Sequence, residues 1–292
     1  GCKNYHLFLC NSGAEANENA LKLASFQTNK KKVIAFKNGF HGRTSAAVAV
    51  TDNSKIIAPI NAQQEIELFN LGDLQGVEAA LKQQDVCAVI IECIQGVGGL
   101  DESKTSFYRG LHLLCKKYEV ILIADEVQSG FGRTGDFFAF QKHKITPDII
   151  SMAKGMGNGF PVGGILIHSS IKASFGLLGT TFGGNHLACT ASLTVLEVLK
   201  TEKLQKNAKE ISYYFKKQAL KIPKVKAIKG RGLMLGLEFD FPVAALRKEL
   251  IYKHHIFTGN AKNPNLLRIL PPLTIQKKHI DLFIEALKIE VS

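Results

Sequence analysis

The chain has 292 residues, 46% of them apolar and 21% charged, which fits one large folded unit plus a smaller one and excludes a disordered or low-complexity chain. The formal net charge is +12. The lysines are scattered in short runs, such as 30–32, 116–117, 216–217 and 277–278, rather than gathered in the single patch that a nucleic-acid groove needs, so no nucleic-acid partner is expected.

In chain order, the opening Gly1-Cys2-Lys3-Asn4-Tyr5 shows no initiator Met and no basic-then-apolar leader. No apolar run reaches the roughly 18 residues of a membrane span, so a cytoplasmic chain with no membrane partner is expected. Six cysteines, at 2, 10, 87, 93, 115 and 189, form no Cys-x-x-Cys pair. Free thiols and no metal site are the expectation.

The first motif is Asn11-Ser12-Gly13-Ala14-Glu15. Ser12 and Glu15 have capping-box spacing, and a helix is predicted to run on through Leu21 and Ala24. Free N–H groups at a helix start bind anions, and Gly13 would let a phosphate approach the backbone; an ordinary capped helix reads the same way. Apolar runs at 33–36, 86–91, 120–124 and 165–167 read as buried parallel strands, because they are apolar throughout rather than alternating. Phe107, Leu111, Leu114, Cys115 and Tyr118 fall on one helix face between them. This alternation predicts a doubly wound α/β unit.

The run 120–124 ends in Asp125 and Glu126. Ligands gather at the carboxyl ends of strands in such sheets. A carboxylate there suits a cofactor's ring nitrogen, a metal, or the cap of the next turn. Lys154, in Ser151-Met152-Ala153-Lys154-Gly155-Met156-Gly157, comes after the apolar pair Ile149-Ile150. A lysine so placed reads as a desolvated, nucleophilic amine, against the ordinary reading of a solvated charge. Beyond about residue 200 the pattern changes. Leu204, Ala208, Ile211 and Phe215 mark a helix; strands are predicted at 233–239 and 266–270; helices are predicted at 243–254 and around Ile280, Phe283, Ile284 and Leu287. The division expected is a large domain over 1–200 and a small α+β domain over 201–292.

These segments together resemble one family, the class III (ornithine-type) pyridoxal-phosphate aminotransferases. The resemblance runs through Asn11-Ser12-Gly13-Ala14-Glu15-Ala16-Asn17-Glu18, Phe40-His41-Gly42-Arg43-Thr44 and Asp125-Glu126-Val127-Gln128-Ser129-Gly130-Phe131-Gly132-Arg133-Thr134-Gly135. It continues in Ala153-Lys154-Gly155, Thr180-Thr181-Phe182-Gly183-Gly184-Asn185 and Arg268-Ile269-Leu270-Pro271-Pro272-Leu273. It implies an α/β large domain of fold type I with a mixed, mostly parallel sheet, and lacks the family's N-terminal segment.

The resemblance also implies a role for each site residue. Lys154 would carry pyridoxal 5'-phosphate covalently and move the substrate proton, and Asp125 would pair with the ring nitrogen. Gln128 would contact the ring's phenolic oxygen, with Val127 on one ring face and Phe40 on the other. Ser12, Gly13 and Ala14 would cradle the phosphate, and Thr181 would bind the phosphate of a partner subunit, making a homodimer with shared active sites. Arg43 and Arg268 match positions that bind substrate carboxylates, and Glu92 matches an active-site position. The implied reaction passes the δ-amino group of an N-acylornithine, acetyl or succinyl, to 2-oxoglutarate, giving glutamate. Ornithine or 4-aminobutyrate as donor, and an inactive fragment, are the alternatives.

Two departures concern the site. Leu178 stands where many relatives have His. Val97 stands where many have a Glu that masks the arginine matching Arg268, so Arg268 is expected to be exposed and the succinyl substrate favoured.

Overall fold

The computed structural model describes residues 2–172 and 174–292. Among them the chain runs β1 (Tyr5–Cys10), α1 (Gly13–Thr28), β2 (Lys32–Phe36), α2 (Ser45–Ala49), β3 (Ile66–Phe69), α3 (Leu74–Leu81), β4 (Val86–Ile91), α4 (Thr105–Lys117) and β5 (Ile121–Asp125). It continues through β6 (Ile149–Met152), β7 (Gly163–His168), α5 (His186–Thr201), α6 (Leu204–Ala219), β8 (Ala227–Arg231), β9 (Met234–Glu238), α7 (Ala244–Tyr252), β10 (Leu266–Ile269) and α8 (Lys277–Val291). Seven strands form one sheet in the order β1-β7-β6-β5-β4-β2-β3, and three form a second in the order β10-β9-β8.

Strands β2 to β6 pair in parallel, whereas β7 runs antiparallel to β6 and to β1. The large sheet is therefore mixed and mostly parallel. The expectation of a parallel strand at 165–167 is corrected by this pairing. Only residues 153–162 separate β6 from β7, which is too short for the crossover that a parallel pair requires. Two strands of the large sheet escaped the apolar-run criterion. Strand β3 lies at the sheet edge with Glu67 in its middle and all four residues half-buried, and β1, at the other edge, has His6 and Leu7 exposed and only Cys10 buried.

Buried strands send alternate residues to opposite faces. Val89, Ile91, Leu122, Ala124, Ile150 and Met152 join one core with Val77 of α3 and Phe107 and Leu111 of α4. Ala88, Ile90, Ile123 and Ile149 face the other way, onto Ala16, Ala20, Leu21 and Ala24 of α1. Each buried isoleucine or leucine removes enough apolar area to contribute about 1.5–3 kcal/mol, so the central strands anchor the fold. A third core belongs to the small sheet. Leu235, Leu237 and Leu267 pack on Ile211 and Phe215 of α6, Leu250 of α7 and Ile284 and Leu287 of α8.

The two sheets are bolted together by the β8–β9 hairpin. Gly232 turns with φ +57°, and a Cβ there would run into the backbone of Arg133 and Thr134. Leu233 N–H donates to Arg133 O at 2.8 Å, and the Arg133 guanidinium donates to Leu233 O and Pro271 O. Arg231 donates to Glu102 at 3.0 Å, to Asp136 at 3.3 Å and to Ala139 O at 2.8 Å.

Candidate functional site

The carboxyl ends of β1, β2, β4, β5 and β6 open along the same edge of the large sheet. Their directions require it, because β1 and β6 both run antiparallel to β7. The segments leaving these strands enclose a cavity of about 440 Å³. Asn11 to Ala14 line it after β1, Phe40 to Arg43 after β2, Glu92 after β4, Asp125, Val127 and Gln128 at the end of β5, and Ala153 and Lys154 after β6.

At the head of the cavity, Ser12 caps α1 with an extended backbone, and its Oγ accepts from Glu15 N–H at 3.2 Å. The reciprocal half of the box is displaced by one residue, since the Glu15 carboxylate accepts from Asn11 N–H at 2.9 Å. The 16-residue helix thus points its N-terminal N–H groups and positive dipole end at the cavity. Gly13 is pressed against Val127; a Cβ would come 2.5 Å from Val127 Cγ1.

At the base, Asp125 is 4% exposed and takes three hydrogen bonds from the protein. Its Oδ2 takes hydrogen bonds from His41 Nδ1 and Asn17 Nδ2, both at 2.8 Å, and its Oδ1 takes one from Val127 N–H at 3.0 Å. Burial acts to lower the His41 pKa, but the hydrogen bond to Asp125 and the charges of Asp125 and Glu92 outweigh it and raise the group overall. Glu92 accepts Phe40 N–H and Gly96 N–H, both at 2.9 Å. Burial pushes its carboxyl up to about 7, with His41 opposing and Asp125 adding. Glu126, the other carboxylate of the pair, turns away from the cavity. It accepts Ala139 N–H and Phe140 N–H at 2.9 Å and Ser129 Oγ–H at 2.7 Å, and so shapes the loop behind Asp125.

Lys154 begins a short 3-10 turn with φ +45°, in the connection that reverses the chain between β6 and β7. The expectation of a desolvated lysine is not met in this single chain, where Lys154 is exposed. Its side chain is shared between the first cavity and a second of about 510 Å³, lined by Gln128, Phe131, Leu199, Arg268 and Leu273 among others.

Arg43 therefore lies in the first cavity and Arg268 in the second. The expectation that Arg268 stands exposed is also corrected. It is half-buried and donates from a terminal nitrogen to Gly96 O at 2.8 Å, 3.5 Å from Gln128 Oε1. Its Nε is buried without a partner. A backbone carbonyl, next to Val97, thus meets the guanidinium at short range, with the Gln128 side chain further off. Thr181 lines neither cavity and is exposed, in the turn whose Thr180 Oγ accepts from Asn11 Nδ2 at 3.3 Å. Leu178 packs at the edge of the core under α1, away from both cavities.

Sequence reasoning gave no role to Asn17 or His41. Asn17 was legible, because it is a polar residue on the face of α1 that otherwise carries Ala16, Ala20, Leu21 and Ala24. The structure brings together an amine, a helix start and a buried carboxylate. That arrangement fits an aromatic group with an anionic arm, a carbonyl and a protonated ring nitrogen. Among the described residues no cluster of His, Cys, Asp or Glu could hold a metal ion, and no helix is long and apolar enough to cross a membrane.

Comparison with known proteins agrees with this geometry. The family profile described as aminotransferase class-III matches residues 2–290. The acetylornithine aminotransferase of Bacillus subtilis (strain 168) is 40% identical over 290 residues, spanning 97% of this chain and 74% of its own length. The acetylornithine aminotransferase of Aquifex aeolicus (strain VF5) is 40% identical over 296 residues, spanning 97% of this chain and 76% of its own. Among solved structures, an ornithine aminotransferase from Toxoplasma gondii, described as having partial occupancy of PLP at its active site, superposes with a TM-score of 0.89 at 30% identity. That superposition covers 98% of this chain and 72% of the other.

Proposed function

The chain belongs to the class III aminotransferases and is a pyridoxal-phosphate-dependent enzyme, and on that premise we propose that it passes the δ-amino group of an N-acylornithine to 2-oxoglutarate. The products are the N-acylglutamate semialdehyde and glutamate. The observation that carries the reading is the meeting of two cavities at Lys154 and Gln128, with Arg43 in one and Arg268 in the other. Each arginine can grip a carboxylate bidentately, and both the acylornithine and 2-oxoglutarate bring one.

The residues suit the cofactor. The start of α1, with Ser12, Gly13 and Ala14, would hold the phosphate. Asp125 would hold the ring nitrogen, Gln128 the phenolic oxygen, and Val127 and Phe40 the two ring faces. Once bound, the cofactor supplies an electron sink for the carbon that gives up its proton. This chain's own residues hold and orient the reactants and move the proton. Lys154 Nζ, free at the junction of the cavities, takes the proton from the substrate's δ-carbon. Asp125, held in place by three donors, would offer its carboxylate to the ring nitrogen. Glu92 ties the Phe40 and Gly96 segments to one another, fixing the wall between Asp125 and Arg268.

The relatives at 40% identity are named for the acetyl substrate. Acetylornithine is therefore the first substrate of this proposal. The active form proposed is a homodimer in the cytoplasm, with Thr181 turned to the partner's phosphate. Supporting it, Phe182, Leu187 and Leu193 near that turn are 71%, 70% and 67% exposed, an apolar surface that suits cover. Steady-state kinetics with 2-oxoglutarate and acetylornithine, succinylornithine, ornithine or 4-aminobutyrate test the reading. The highest kcat/KM is expected for acetylornithine; a preference for free ornithine or 4-aminobutyrate would overturn the acyl assignment.

A further inference from the structure

We propose that His41 and Asn17 are positioning residues that fix the Asp125 carboxylate in one orientation for the cofactor's ring nitrogen. The inference rests on the assignment of Asp125 to that nitrogen.

An ionised carboxylate is acceptor-only, with about four lone-pair directions. Three are taken inside the protein, by His41, Asn17 and Val127. The carboxylate cannot rotate without losing at least one of them, so its remaining capacity faces one way. His41 Nδ1 must be the donor, since its partner cannot donate. The His41 backbone is itself pinned, with its N–H on Thr51 Oγ at 2.9 Å and its carbonyl accepting from Asn17 Nδ2 at 2.7 Å.

Asn17 adds the second observation. Its side-chain nitrogen serves two acceptors at once, His41 O and Asp125 Oδ2. Flipping the amide would set its oxygen against both. The orientation is therefore fixed, and it leaves Asn17 Oδ1 buried without a partner, in a residue that is 0% exposed. A residue present only to pack α1 would avoid that orphan by being apolar, as its neighbours on this face are.

The test measures cofactor affinity rather than turnover. Apo-protein is dialysed to equilibrium against pyridoxal phosphate and against its analogue with carbon in place of the ring nitrogen. His41→Ala and Asn17→Leu should weaken binding of pyridoxal phosphate by about tenfold or more, the scale of one charge-assisted hydrogen bond, and leave the analogue within about twofold. His41→Asn, whose amide nitrogen falls near the Nδ1 position, should restore most of the loss. Equal losses for both cofactors, or no loss for either, would overturn the inference. Asn17→Leu, close in volume, carries the comparison where His41→Ala does not fold. Asp125→Ala separates the two layers. If it fails to discriminate between the cofactors, the Asp125 assignment falls; if it discriminates and the other variants do not, only the positioning role of His41 and Asn17 falls.

Discussion

Replacing Asp125 by Asn keeps the shape of the side chain and removes its charge, and the surrounding donors set the cost. An amide offers one oxygen and one donor nitrogen. With the oxygen in the Oδ2 place it still accepts from His41 and Asn17, but its nitrogen then confronts the Val127 N–H now 3.0 Å from Oδ1. The opposite flip confronts His41 and Asn17 together, so the first orientation wins and one buried donor is orphaned. That costs about 1–3 kcal/mol. At about 2–4 °C per kcal/mol for a unit of this size, the apo-protein should melt roughly 2–12 °C lower. Catalysis suffers separately, because an amide cannot favour the protonated ring. One charge-assisted contact of about 1.5–3 kcal/mol predicts a fall in kcat of at least about tenfold. Calorimetry of the apo-protein and coupled-assay kinetics of the loaded enzyme read the two effects. Near-normal turnover would refute the role given to Asp125, and an unchanged melting temperature would refute the hydrogen-bond count.

Borohydride reduction and peptide mapping should place the pyridoxyl label on Lys154, and Lys154→Ala should abolish transamination; a label on another lysine would dismiss the assignment. Gly13→Ala should strain the contact with Val127, which a Cβ would approach to 2.5 Å, and weaken cofactor binding in an apo titration; unchanged binding would remove Gly13 from the cradle. Burial raises Glu126 to about 7, above its unfolded value, so its stabilising share is full below about pH 4.5 and is lost as pH rises through about 7. Urea denaturation of Glu126→Gln should therefore show a flatter fall in stability between pH 5 and 7, by up to about 3 kcal/mol, than the parent; parallel curves would contradict the shift. Arg268→Ala should raise KM for 2-oxoglutarate at least about tenfold while sparing the first half-reaction, as single-turnover rates would show.

The central fold was legible because β4 and β5 are buried on both faces and therefore apolar, β5 up to its last residue, Asp125. The small-sheet helices were legible because Leu204, Ala208, Ile211 and Phe215 repeat at the helical period and are all buried. What a strand's apolarity does not carry is its direction, and β7 was read the wrong way; the short link from β6 was the better guide. The site's motifs named the residues around one cavity but not the distances between them. Glu126 looked as available as Asp125, and only the loop at 139–140 shows that it faces inward. Nor could the state of Arg268 be read from the side chain at 97, because the group that meets it is the carbonyl of Gly96, which every residue type possesses.

The hairpin bolt sets where drift in substrate choice can begin. Arg268 sits on β10, and β10 is tied through β9 to the hairpin that Arg133, Glu102 and Asp136 hold against the large sheet. The reach from Arg268 to Lys154 is thus a dimension of the scaffold. A substitution at Glu102 or Asp136, which line neither cavity, would let that dimension breathe and change which chain length spans it. Libraries seeking new donors for this enzyme can therefore be aimed at the contact between the sheets, leaving the catalytic walls intact.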